Sequence, residues 1–145
     1  MKYALAIVLL VAMVGCQTTL CPGLTGIALT SCEVQGVVSV IETVVPPTLA
    51  QIDAVKGNLA PNVVAQINSA EAKWPALKAS MDALVAGLIA GQQVNIPVVI
   101  ADAVLFYVDL GILYQSITGK VLPGLPPEPA VQAFVSNARA ARLHR

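Results

Sequence analysis

Apolar residues recur at helical intervals along most of this chain beyond residue 33. Thr30-Ser31-Cys32-Glu33 has the form of a capping box. Apolar residues spaced three or four positions apart follow it and would form one face of a helix: Val34, Val37, Val38, Ile41, Val44 and Val45. This apolar stripe predicts a short amphipathic helix that ends at Pro46-Pro47, although its many valines also permit a strand. Thr48 to Gln51 is a second capping signature, and it predicts another helix that ends near Gly57 or Asn58.

The longest ordered pattern is a heptad seam that begins after Pro61. Its apolar positions alternate steps of four and three: Val63, Ile67, Ala70, Trp74, Leu77, Met81, Leu84 and Leu88. Two interpretations fit the seam. It packs inside the chain's own bundle, or it forms a coiled-coil interface with a protein partner along residues 63–88. Because proline removes a backbone donor and clashes with the preceding turn, Pro75 predicts a kink or a break in this helix.

A further helix is predicted from about Ile96 to Ile117, with Asn95 as its cap and Gly119 as its end. Its apolar core, IPVVIADAVLFYVDLGILY, is long enough to cross a bilayer but contains Asp102 and Asp109. A mid-helix Asp costs about 2.5 to 3.5 kcal/mol on an insertion scale, and an apolar residue returns only about 0.3 to 0.6 kcal/mol. This balance favours a bundle outside the membrane over a transmembrane helix. The two aspartates then form a polar strip at the bundle surface, or an interaction site for a partner.

A last helix is predicted after a proline-rich linker. It carries Val131, Phe134, Val135 and Ala138 on one stripe, and its end is crowded by Arg139, Arg142, His144 and Arg145. These cations complement the negative end of the helix dipole, or they contact lipid phosphates as a possible interaction site. Together the stripes predict an all-α domain over residues 33–145. We expect an irregular bundle of about five helices, several of them interrupted by proline.

Residues 1–15 are organised like an export signal. Lys2 precedes an uncharged apolar run from Ala4 to Gly15, about 18 Å long as a helix and too short for the ~30 Å core of a bilayer. Met13-Val14-Gly15-Cys16 resembles the lipobox of bacterial lipoproteins, with Met13 where Leu is usual. The resemblance implies cleavage before Cys16 and acylation of the Cys16 thiol, so it predicts a lipid-anchored chain. An ordinary cleaved signal is the alternative.

The same resemblance bears on location. By the sorting habit of Gram-negative lipoproteins, Gln17 after the cysteine, where Asp would retain the chain, implies the outer membrane. We therefore expect a chain anchored to the cell membrane or outer membrane and facing the periplasm.

Cys21 and Cys32 are an even pair in an exported chain, separated by turn-forming residues. This arrangement predicts a disulfide that closes the anchored segment 16–32, with free thiols as the alternative. A metal site is a poor third interpretation, because three cysteines and the single distant His144 do not provide the usual zinc spacings.

Composition narrows the function classes. Only 11% of residues are charged, against about 25% in typical soluble domains, and the formal net charge of +0 gives no electrostatic surface for nucleic acid. The chain contains no G-x-S-x-G, H-E-x-x-H or phosphate-binding loop, so no catalytic residue, cofactor or metal ligand is predicted. We expect a non-catalytic, lipid-anchored envelope protein that acts as a structural or interaction module. The alternatives are a membrane-active protein that inserts a helical hairpin, of the pore, lysis or phage-entry or exclusion type, and a small carrier of apolar ligands.

Overall fold

The computed structural model of the chain describes residue 21, residues 26–125 and the separate positions 136 and 140. Residues 26–125 form three helices without a strand: α1 (Gly26–Val55), α2 (Pro61–Ile89) and α3 (Ile96–Thr118). A short 3₁₀ turn, Lys56–Asn58, follows α1. The all-α prediction is confirmed, but the expectation of about five helices is wrong for this part of the chain. The signal peptide and Cys16 lie outside the described residues, and so does the last predicted helix with Arg139, Arg142 and Arg145, apart from positions 136 and 140.

The helix α1 is continuous where two helices were predicted. The reason is that its apolar stripe keeps its helical phase across Pro46 and Pro47. The buried positions on either side of the prolines are Ile41, Val45, Leu49 and Ile52. Each buried side chain of this kind contributes about 1.5 to 3 kcal/mol, so the four together offset the ~3 kcal/mol that each of the two interior prolines costs.

Both capping signatures lie inside α1 and therefore start no helix. Glu33 is only 4% exposed, far from the solvated position of a capping residue. The Thr48 hydroxyl donates to the Val44 carbonyl oxygen at 2.8 Å, one turn earlier in the same helix. The Ser31 hydroxyl likewise accepts from the Gln35 side chain at 3.1 Å within α1. These polar side chains form local bonds inside the helix, so the capping motifs alone gave the wrong boundaries.

The boundaries of α2 and α3 agree with the sequence to within a few residues. Gly91 and Gly119 both have positive φ, as expected for residues that end helices. After α2, the Gln92 amide donates to the Gly87 carbonyl at 2.9 Å and the Gly91 amide to the Leu88 carbonyl at 3.2 Å. This is a Schellman ending. Of the kink or break predicted at Pro75, the break is wrong, because α2 continues through this residue, and the kink stays a prediction.

The three helices surround one core. The ion pairs Lys56–Glu71 and Lys78–Glu42 show that α2 runs antiparallel to α1. On the other side of α2, the Trp74 and Phe106 rings stack with centroids 5.9 Å apart. The largest fully buried side chains come from all three helices: Ile41, Ile52, Ile67, Met81, Ile100 and Leu110. Because the connections are short, the start of α1, the end of α2 and the start of α3 lie at the same end of the bundle.

All eight seam residues of α2 are buried or pack against this core. The interpretation of the seam as internal packing is therefore confirmed. A protein partner on residues 63–88 would have to take the place of α1 or α3, and such a partner stays a prediction.

Candidate functional site

The disulfide connects the start of the described chain to α1. Cys21 and Cys32 are at bonding distance, with their Cα atoms 6.0 Å apart, as the sequence predicted. Cys32 lies in the second turn of α1, and Cys21 follows the predicted acylation site, Cys16, by five positions. Any anchor on Cys16 is therefore only a short stretch of chain away from a covalent bond to the folded bundle.

A groove of about 500 Å³ runs between α1 and α2. Apolar groups line much of it, including Val38, Val85 and Ile89, and the polar groups include Gln35 and Glu42. The groove is open to solvent along its length. It therefore offers a surface for an extended partner more readily than an enclosed cavity for a small molecule.

Charged side chains form a network along this groove. The Lys78 ammonium group donates to Asp82 Oδ2 at 2.7 Å, and it lies 3.6 Å from Glu42 Oε1. That Glu42 oxygen is buried and has no hydrogen-bond partner among the described residues. The network connects α1 to α2 and places the Glu42 carboxylate beside the groove.

The pKa values of Glu42 and Asp82 shift in opposite directions in this network. Burial raises the pKa of Glu42, and the adjacent Asp82 raises it further, while Lys78 partly opposes the shift. The hydrogen bond from Lys78 lowers the pKa of Asp82. Opposite shifts in neighbouring carboxyl groups occur in acid–base sites and also in structural ion pairs. The direct bond from Lys78 favours the structural role here.

The sequence showed only part of this network. Lys78 and Asp82 are one helical turn apart, which predicts their pairing. Glu42 lies on another helix, and its position opposite Lys78 depends on the antiparallel register of α1 and α2. A pattern within one helix contains no information about that register.

Asp102 and Asp109, which the sequence predicts as a polar strip on α3, lie in different surroundings. Asp102 and Asp109 are both exposed, which confirms their predicted place at the bundle surface. Asp109 lines a second groove, of about 250 Å³, between α2 and α3, together with Lys73, Gln66 and Phe106. Asp102 does not line that groove. A role for either aspartate in binding a partner stays a prediction.

The end of the bundle where α2 joins α3 has an unusual composition. Residues 83–101 contain no charged side chain, and we call this segment the tip. Two large apolar side chains of the tip face solvent, Ile89 at 72% exposure and Val98 at 53%. The opposite end of the bundle contains Lys56, Asp53 and Glu71, which are joined by ion pairs of 2.6 and 2.8 Å.

Two stretches are long and apolar enough to cross a membrane, Ala28–Asn58 and Ile96–Thr118. About a third of each most apolar window is buried in the bundle, and core helices of soluble proteins pass the same test, so this is weak support for membrane association. The described residues contain no cluster of three or more side chains suited to hold a metal ion. No known protein family, curated protein or solved structure matches this chain.

Proposed function

We propose that this protein is a non-catalytic module of the bacterial cell envelope, anchored by acyl chains on Cys16 and acting as a structural or interaction element on the periplasmic side of the outer membrane. The observation that carries the proposal is the disulfide between Cys21 and Cys32. It fastens the chain just after the lipobox-like residues to α1. Such a bond is typical of exported proteins. It would connect an acylated Cys16 to the folded domain through a short, covalently fixed segment.

The bundle itself supports a role outside the bilayer. The inward apolar faces of α1 and α3 are buried by protein, as the fully buried Ile41, Ile52 and Ile100 show. The exposed side of α2 carries polar residues, including Asn62, Gln66 and Lys73, among small residues such as alanine. The surface left for a partner includes the groove between α1 and α2, with its network of Glu42 and Lys78.

The proposal is tested on the full chain expressed in a Gram-negative host. We expect the intact mass to show loss of residues 1–15 and an acyl increment, and the protein to fractionate with the outer membrane. Cys16→Ala should accumulate as an uncleaved precursor, whereas the control Cys21→Ala, Cys32→Ala should still be cleaved and acylated. An unacylated chain of full length would contradict the proposal.

A second candidate function is favoured by the length and mean hydropathy of α3, 2.1 in its most apolar window. In this alternative, the hairpin from residue 83 to residue 117 inserts into a membrane, as in a pore-forming or lysis protein. A chain without residues 1–16, mixed with liposomes and washed with carbonate, distinguishes the two. Our proposal requires extraction by the wash, and resistance to it would favour the hairpin. The carrier of apolar ligands stays a prediction, because both described grooves are open.

A further inference from the structure

The uncharged tip and the disulfide lie at the same end of the bundle. In the antiparallel register that pairs Lys78 with Glu42, Gln35 lies about two turns before Glu42 and Ile89 about three turns after Lys78. Gln35 and Ile89 also line the same groove, so both lie toward the same end of the bundle. Cys32 is three positions before Gln35 in α1, and is therefore within about one turn of the tip. The covalent path from Cys16 thus reaches the folded domain at the end that carries Ile89 and Val98.

The length of that path restricts where the domain can sit. Five steps from Cys16 to Cys21 extend at most about 18 Å, at ~3.6 Å per residue. The disulfide adds only the 6.0 Å between the Cα atoms of Cys21 and Cys32. From Cys32 to Val55 the helix α1 rises about 35 Å, at ~1.5 Å per residue. The tether therefore keeps the tip near the bilayer.

The chemistry of the tip fits the surface of a bilayer. Ile89 and Val98 are exposed apolar side chains, and no charge within residues 83–101 would have to lose its hydration on contact with lipid. Gln92, Gln93 and Asn95 in the connecting turn are exposed polar groups that can bond to lipid headgroups and water. In the sequence, the segment 17–32, which contains Cys21 and Cys32, is also uncharged.

We propose that the tip, residues 83–101, is a membrane-contacting surface that inserts the side chains of Ile89 and Val98 into the interface of the bilayer to which Cys16 is anchored, so that the bundle stands upright on the membrane. The inference rests on the proposed lipid anchor and adds an orientation and a second contact. Because the tip has no basic residue, the contact depends on apolar insertion and is independent of anionic lipid.

The test uses the acylated full chain in vesicles. With Cys16 acylated and Cys21 bonded to Cys32, an introduced cysteine is the only free thiol, and it takes an environment-sensitive fluorophore. Probes are placed one at a time by Ile89→Cys, Val98→Cys, Ile112→Cys and Val121→Cys, all at exposed positions. Vesicles are zwitterionic phosphatidylcholine, with and without phosphatidylglycerol, and contain shallow nitroxide lipids as quenchers.

We expect blue-shifted, quenched emission from probes at residues 89 and 98 in both lipid mixtures, and unshifted emission from probes at residues 112 and 121. In addition, Val98→Asp should abolish the shift at residue 89, whereas the matched Ile112→Asp, on the outer face of α3, should leave it unchanged. A shift at residue 112 equal to that at residue 89 would mean that the bundle lies on its side, and it would overturn the proposal. Unshifted emission at residue 89, or a shift only with phosphatidylglycerol, would do the same.

The experiment distinguishes failure of the proposed acyl anchor from failure of the proposed membrane contact of the tip. Intact mass of each labelled protein reports the acyl increment independently of fluorescence. An acylated protein with an unshifted probe at residue 89 contradicts only the membrane-contacting tip. A chain without the acyl increment contradicts the proposed anchor.

Discussion

Gly87 provides a sharp test of how the tip is packed. It is buried near the end of α2, and a Cβ atom added there would overlap Cγ1 of Val94 in the following turn. Val94 is branched at Cβ and has restricted χ1 freedom, so it cannot swing away without cost. We therefore expect Gly87→Ala to push residues 92–95 outward or to strain the end of α2.

Two opposing terms set the size of the effect. Overpacking of one methyl group costs about 1 to 3 kcal/mol, and replacing Gly by Ala in a helix returns roughly 0.5 to 1 kcal/mol. Gly87→Ala should thus lower the free energy of unfolding by about 1 kcal/mol, within a range of roughly 0 to 2.5 kcal/mol. Gly111 in α3 is the matched control, because its added Cβ would meet Leu122 Cδ1 at 3.7 Å, an ordinary contact. Gly111→Ala should raise stability by roughly 0.5 to 1 kcal/mol.

The measurement is urea unfolding, followed by circular dichroism, of a chain that starts at residue 16 with Cys16→Ser and keeps its disulfide. Val94→Ala makes room for the added methyl group, so the double variant Gly87→Ala, Val94→Ala should be more stable than the sum of the single effects by about 1 kcal/mol or more. If Gly87→Ala is as stabilising as Gly111→Ala, or if the two substitutions are additive, the contact with Val94 is not what requires glycine.

Three further predictions concern charge and covalent structure. Burial raises the pKa of Glu42 above 4.5, so the unfolded chain loses this proton first as pH rises, and stability falls from about pH 4.5 up to the folded-state pKa. Glu42→Gln should flatten that fall in unfolding curves measured across this interval, and an unchanged slope would contradict it. Asp102→Leu with Asp109→Leu shifts the balance for membrane insertion by about 3 kcal/mol or more per site, so the unanchored chain should aggregate or bind liposomes. Sedimentation with and without liposomes measures this outcome, and a double variant that stays soluble with liposomes present would contradict it. Cys21→Ser with Cys32→Ser should lower stability by somewhat under about 3 kcal/mol, and thiol alkylation of the unfolded, non-reduced parent should label neither position.

The sequence predicted helix bounds best where an apolar pattern repeats over many residues. The seam of α2 and the glycines that end α2 and α3 gave those helices nearly their observed bounds. Burial acts along the whole seam, and a positive φ at one glycine ends a helix at a defined position. Pro46-Pro47 and the capping signature at Thr48 predict a break that α1 does not have. The apolar stripe of α1 keeps its helical spacing across the prolines, and this spacing is the signal that agrees with the structure. Following that stripe from Ile41 through Val45 to Leu49 would have joined the two halves.

The grooves could be predicted only in part. Asp102 and Asp109 were found because charge is rare in an apolar helix, and their exposure agrees with the insertion balance. Glu42 was missed because its importance comes from a residue on another helix, Lys78. Contacts of this kind depend on the rotation and register of packed helices, which the apolar pattern of a single segment does not determine.

The paired prolines of α1 have a consequence for how the bundle opens. Pro46 and Pro47 have no amide hydrogen, so two adjacent rungs of the helical hydrogen-bond ladder are missing at this level. The half of α1 before them is held by the disulfide at Cys32, and the half after them by the bond from the Tyr114 hydroxyl to Gln51. Hydrogen exchange should therefore divide α1 into two cooperative units with separate opening free energies. The unit next to the disulfide would stay closed while the unit after the prolines samples open states that expose its inner face to solvent.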